Sequence, residues 1–127
     1  MIILDTHIWR YYVDNDLRYR LRDEQLMAIF ENVKQNNLGV SIISYWEIAK
    51  KVEKGALDLG KPLKDWLNEA VSYTGIKVIP LDFNIILDAT SLPGKFHRDP
   101  MDQIIVATAR VNSCKLVTND RKIRDYI

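Results

Sequence analysis

Ile2-Ile3-Leu4-Asp5-Thr6-His7 is the stretch on which the fold turns. Three consecutive apolar residues leave no polar face, which is the pattern of a strand buried on both sides in a parallel sheet. Similar runs recur at residues 38–42, 77–81 and 115–118. Between them the apolar residues switch to helical spacing, first Leu26, Ile29, Phe30 and Val33, then Leu63, Trp66, Leu67, Ala70 and Val71. Further helical patterns cover residues 44–54, 83–91 and 100–112, with loops at 55–62 and 92–97. Strands alternating with helices predict an α/β chain, a three-layer α/β/α domain with a mainly parallel sheet and right-handed crossovers. With 127 residues and no internal repeat or linker, the expectation is one domain over residues 1–127.

Parallel sheets place their ligand sites beyond the carboxyl ends of the strands, so acids at those ends carry the functional reading. Asp5 closes the first run and Asp120 follows the last, in Leu116-Val117-Thr118-Asn119-Asp120. Glu47 falls in the first turn of the helix expected after the second run, and Asp99 and Asp102 open the helix before the last strand. Five carboxylates are thus expected along one sheet edge. Crowded carboxylates repel, and they are neutralised by protons or by a hard cation such as Mg²⁺ or Mn²⁺. Such an ion, held by oxygens alone and keeping some of its waters, activates water and stabilises charge on a phosphate, which is the chemistry of phosphodiester hydrolysis.

Helix starts also select these residues for structural reasons. Ser44-Tyr45-Trp46-Glu47 fits a capping box, and Asp99-Pro100-Met101-Asp102 fits a cap followed by proline at the first helical position. Capping, however, does not require that all the acids share one edge of the sheet. His7 and His97 match no paired metal-ligand pattern. Trp9, Trp46 and Trp66 sit on apolar helical faces and read as core or interface anchors.

Composition removes several classes. Hydrophobic residues at 47% and charged residues at 28% exclude a disordered chain, and 18 Lys and Arg against 17 Asp and Glu give no global attraction to polyanions. Contact with nucleic acid must therefore be local, with Arg98 and Lys50 as the phosphate-binding candidates. A lone Cys114 offers neither an internal disulfide nor a thiol pair for zinc, which fits a reducing cytoplasmic setting. The N-terminal run has no basic lead or cleavage site, and no window approaches the roughly 18 apolar residues that span a bilayer. No membrane association is expected.

Taken in order, Leu4-Asp5-Thr6-His7, Ser44-Tyr45-Trp46-Glu47, Pro80-Leu81, Ser91-Leu92-Pro93, His97-Arg98-Asp99-Pro100-Met101-Asp102 and Thr118-Asn119-Asp120 resemble the PIN-domain ribonucleases. The likeness is specifically to the toxin component of VapBC-type toxin–antitoxin pairs and covers nearly the whole chain. It implies an Mg²⁺- or Mn²⁺-dependent endoribonuclease, an RNA substrate, a cognate antitoxin and a homodimer. By position, Asp5, Glu47, Asp102 and Asp120 match the family's acidic quartet. The same likeness makes Asp99 a cap or outer metal ligand beside Asp5, Asp102 and Asp120, and Thr6 and Ser44 polar positions near the substrate. Gln103 departs from the arginine frequent in this subgroup.

Two other families begin with an aspartate after the first strand. Phosphatases of the haloacid-dehalogenase type need a second acid where this chain has His7, and receiver domains need paired early acids and a central phosphoacceptor that Ser41-Ile42-Ile43-Ser44 does not supply. A non-catalytic binding module with an idle acidic pocket stays compatible with the sequence. The aromatic residues Trp9, Tyr11, Tyr12, Tyr45 and Trp46 are expected to form the groove for the antitoxin.

Overall fold

The computed structural model describes residues 1–127 in full. Each apolar run forms a strand: β1 (Ile2–Leu4), β2 (Leu38–Ser41), β3 (Ile76–Ile79) and β4 (Lys115–Val117). They form one sheet of order β3-β2-β1-β4, with every neighbouring pair parallel. The period of two along a strand divides their side chains between two cores. Ile2, Leu4, Leu38, Val40 and Val117 enter one, while Ile3, Ile79 and Leu116 enter the other.

The first core is roofed by α1 (Thr6–Val13), α2 (Asp23–Val33), α3 (Ile42–Glu53) and α4 (Leu63–Val71), which bury Ile8, Trp9, Ile29, Ile48 and Trp66. Trp9 lies 4.4 Å from Tyr45 and 5.2 Å from Trp66 between ring centroids. Truncating either buried indole to alanine would cost about 3–5 kcal/mol. The second core is covered by α5 (Phe83–Ala89), α6 (Pro100–Val111) and α7 (Arg121–Tyr126), through Ile85, Ile105, Val106 and Ile123. The three-layer α/β/α arrangement expected from the alternation is the one observed. No helix is long and apolar enough to cross a membrane.

Three departures have local causes. Helix α1 is not among the helical stretches delimited from the sequence, which places only Trp9 on a helical face, although Ile8, Trp9, Tyr12 and Val13 share one buried face and Asp5 caps it. Helix α3 begins at Ile42 rather than at residue 44, because the Ser41 hydroxyl accepts the Ile43 N–H at 3.1 Å and ends β2 there. Strand β3 stops short of residue 81, since Pro80 has no N–H for the ladder. A Cβ at Gly39 would come 2.7 Å from Ile3 Cδ1 and 3.3 Å from the Ile2 carbonyl oxygen on β1, so a larger residue there requires the end of the Ile3 side chain to move.

Candidate active site

Parallel pairing brings the carboxyl ends of β1 and β4 side by side, and the acids follow. Asp5, 4% exposed, caps α1: one carboxylate oxygen accepts the Thr6 N–H at 2.8 Å and the other accepts the Thr118 hydroxyl at 2.6 Å. Thr118 Oγ1 in turn accepts the Asp120 N–H at 3.0 Å. On α3, Glu47 Oε1 accepts the Thr6 hydroxyl at 2.8 Å. The single hydroxyl proton of Thr6 is thereby committed, so Ser44, 2.8 Å away, must donate to Thr6. The result is a one-way chain from Ser44 through Thr6 to Glu47.

The remaining acids come from helix starts. Asp99 caps α6 by accepting the Met101 N–H at 2.9 Å, and Asp102 lies in the first turn of the same helix. Asp120 caps α7, accepting the N–H groups of Lys122 at 2.8 Å and Ile123 at 3.4 Å. Asp5, Glu47, Asp99, Asp102 and Asp120 all line one pocket of about 270 Å³, together with Thr6, His7, Arg10 and Lys51. A larger recess of about 570 Å³, bounded by Tyr12, Leu17, Tyr19, Phe30 and Tyr73, has Arg18 as its charged group and no acid.

This concentration of charge is supported partly by the fold, because Asp5, Asp99 and Asp120 each sit where a helix presents free N–H groups and the positive end of its dipole. Asp102 is the exception. Burial first, and then the charges of Asp99, Asp5, Asp120 and Glu47, push its carboxyl up to about 7. Burial also raises Asp5, against the lowering effects of His7, Thr118 and the Thr6 amide. Oxygen donors that compete for a proton near neutral pH suit a hard divalent cation, which relieves the same repulsion. No group of three His, Cys, Asp or Glu side chains forms a ready-made metal cage. The fit to a cation therefore rests on donor chemistry and shared location.

Several expected roles change. Glu47 does not close a capping box with Ser44, because the helix begins earlier and Ser41 is the cap. Ser44 and Thr6 do not present free groups to a substrate: they are 0% and 4% exposed and spend their hydroxyls on each other and on Glu47. Lys50 pairs with Glu53 and lies 5.8 Å from the Trp46 ring, outside the acidic pocket, whereas Lys51 reaches Glu47 at 3.3 Å. Arg98 lines a separate neighbouring recess with Ser91, Phe96 and Gln103. Of the aromatics expected to form a partner groove, Trp9, Tyr12 and Tyr45 are buried, while Trp46 is exposed and Tyr11 partly so.

Sequence reasoning set both histidines aside, overlooked Arg10, and singled out Lys50 rather than its neighbour Lys51. His7 Nε2 accepts the Asn119 N–H at 3.0 Å, and its Nδ1 lies 3.6 Å from Asp5. His97 approaches Asp102 at 3.0 Å. For Lys51 the signal was available, since it stands four residues after Glu47 on one helix.

Comparison with known proteins gives two findings. A family model described as PIN domain matches residues 2–126. Ribonuclease VapC22 of Mycobacterium tuberculosis (strain ATCC 25618 / H37Rv) is similar at 26% identity over 125 residues, covering 98% of this chain and 91% of that protein.

Proposed function

Because the chain belongs to the PIN-domain family, we propose that it is a divalent-metal-dependent endoribonuclease, the toxin of a type II toxin–antitoxin pair. The observation that carries this reading is the meeting of Asp5, Glu47, Asp99, Asp102 and Asp120 in one pocket. The similarity to Ribonuclease VapC22 over almost the whole chain supports RNA as the substrate. Asp5, Asp102 and Asp120, with Asp99 beside them, would hold Mg²⁺ or Mn²⁺. When bound, the ion supplies a water of lowered pKa and offsets charge on the scissile phosphate. Glu47 is fixed by Thr6 through one oxygen and turns the other toward Lys51, leaving it placed to orient water at the pocket. Arg10 and Lys51 on the same pocket would meet the phosphate backbone.

The proposed partner is a small antitoxin that inserts an Arg or Lys among these acids, replacing the cation by charge. Trp46, 51% exposed, is the aromatic anchor left for it on α3. A homodimer is supported by α5, where Phe83, Ile86 and Leu87 are 72%, 46% and 51% exposed at helical spacing. The direct test is cleavage of structured and unstructured RNA with Mg²⁺, Mn²⁺ or chelator. Cleavage that needs the ion is expected, together with growth arrest on expression alone and rescue by the operon neighbour. No cleavage by the pure, folded chain under any of these conditions would leave the non-catalytic binding module as the better reading.

A further inference from the structure

The segment before α6 holds an imidazole against one site acid by contacts that have no other evident use. His97 Nδ1 accepts the Asp99 N–H at 3.3 Å, which assigns the ring proton to Nε2. The backbone carbonyl of His97 accepts Gln103 Nε2 at 3.1 Å. Its ring stacks on Phe96 at 4.4 Å, and Phe96 packs on Tyr126 at 4.6 Å. Tyr126 in turn donates its hydroxyl to the Pro93 carbonyl, tying the segment to α7. Ring orientation is therefore fixed from both ends. The Nε2 so presented is buried, lies 3.0 Å from Asp102 Oδ2, and forms no aligned hydrogen bond there or elsewhere.

A buried N–H without an acceptor is costly, and the only carboxylate in contact with this one is Asp102. An Asp102 carboxylate turned into line with this N–H would accept it, and contacts in ligand-free sites commonly tighten on loading. We infer that His97 is a positioning residue for Asp102, holding its carboxylate in the orientation that serves the cation. This rests on the metal-dependent reading above. Asp102 would then meet the imidazole through Oδ2, the oxygen already in contact with it, and would keep its other oxygen for the ion.

Calorimetric titration of the metal-free protein with Mn²⁺ tests this, using His97→Phe, which keeps the stacking without the donor, and His97→Gln, which keeps a donor without the stacking. His97→Phe should bind Mn²⁺ about 10–100-fold more weakly, the usual cost of losing an outer-sphere donor, while metal-free melting stays close to wild type. His97→Gln should melt lower yet retain more of the affinity. Equal Mn²⁺ affinity in wild type and His97→Phe, or the reverse order of the two variants, overturns the inference and leaves the ring as packing. Absence of Mn²⁺ binding by wild type itself overturns the metal reading on which the inference stands.

Discussion

The two sides of the acidic pocket are stabilised by different means. On the β1 and α3 side, Asp5 and Glu47 receive hydroxyl hydrogen bonds from Thr118 and Thr6, and Ser44 backs Thr6 from full burial. On the α6 and α7 side, backbone N–H groups at helix starts serve Asp99 and Asp120, and Asp102 has no aligned donor. On the first side the fold itself orients both carboxylates. The second has a carboxyl pushed up to about 7, and on the proposed reading it is the side where a proton and a metal would compete. A single pocket thus combines a preorganised half with a responsive half.

The strongest way to break the comparison is Asp5→Asn. Its side-chain oxygen still accepts the Thr6 amide, so the fold should survive, while RNA cleavage should fall by more than about 100-fold, beyond the usual cost of outer-sphere changes. Cleavage at near wild-type rate would remove Asp5 from the machinery. Next comes Thr6→Val, which strands Ser44 and Glu47 at once and should cost about 1–3 kcal/mol in denaturant unfolding. Thr6→Ser keeps the hydroxyl and should recover most of that loss. If Thr6→Val is neutral, the hydroxyl chain does not stabilise the preorganised half.

The responsive half is sharpened by pH. In the unfolded chain Asp102 ionises near 3.8, and in the folded chain near 7. The folded state therefore holds a proton that the unfolded state has lost, so this contribution to stability is full below 3.8 and declines as pH rises through 7. Thermal melts of the metal-free protein should show Asp102→Asn gaining on wild type as pH rises from about 4 to about 8. A pH-independent difference would mean that Asp102 ionises normally. The smallest effect belongs to Asp99: Asp99→Ala should cost about 1 kcal/mol, whereas Asp99→Asn, which still caps, should be mild in both stability and cleavage. An inactive Asp99→Asn beside an active Asp102→Asn would exchange the roles of the two acids.

How much of this was legible beforehand depended on whether a residue acts through its own position or through a distant partner. The strands and the five acids were readable, because buried parallel strands demand unbroken apolar runs and their carboxyl ends are fixed in space. The hydroxyl chain was not, since Thr6 and Ser44 are 38 residues apart and meet only when β1 and β2 pair. Ser41 and Ser44 are equally good caps by composition, and strand length decided between them. Lys50 and Lys51 differ by one residue, which on a helix is enough to turn one toward Glu53 and the other toward Glu47. The histidines were set aside for lack of a ligand pattern, but their roles depend on which backbone N–H each ring accepts.

The sheet order has a consequence for when the acidic pocket is assembled. Strand β1 is made first but sits between β2 and β4, and its contact with β4 joins Ile2 to Lys115 and Leu4 to Val117. Asp5 finds Thr118 only across 113 positions of chain. Contacts of such long sequence separation close late in folding. A nascent chain arrested before Lys115 would contain Asp5, Glu47, Asp99 and Asp102 but neither β4 nor Asp120, and its central strand would lack a neighbour on one side. The five-acid pocket is therefore completed only once β4 has joined β1 and carried Asp120 to its edge.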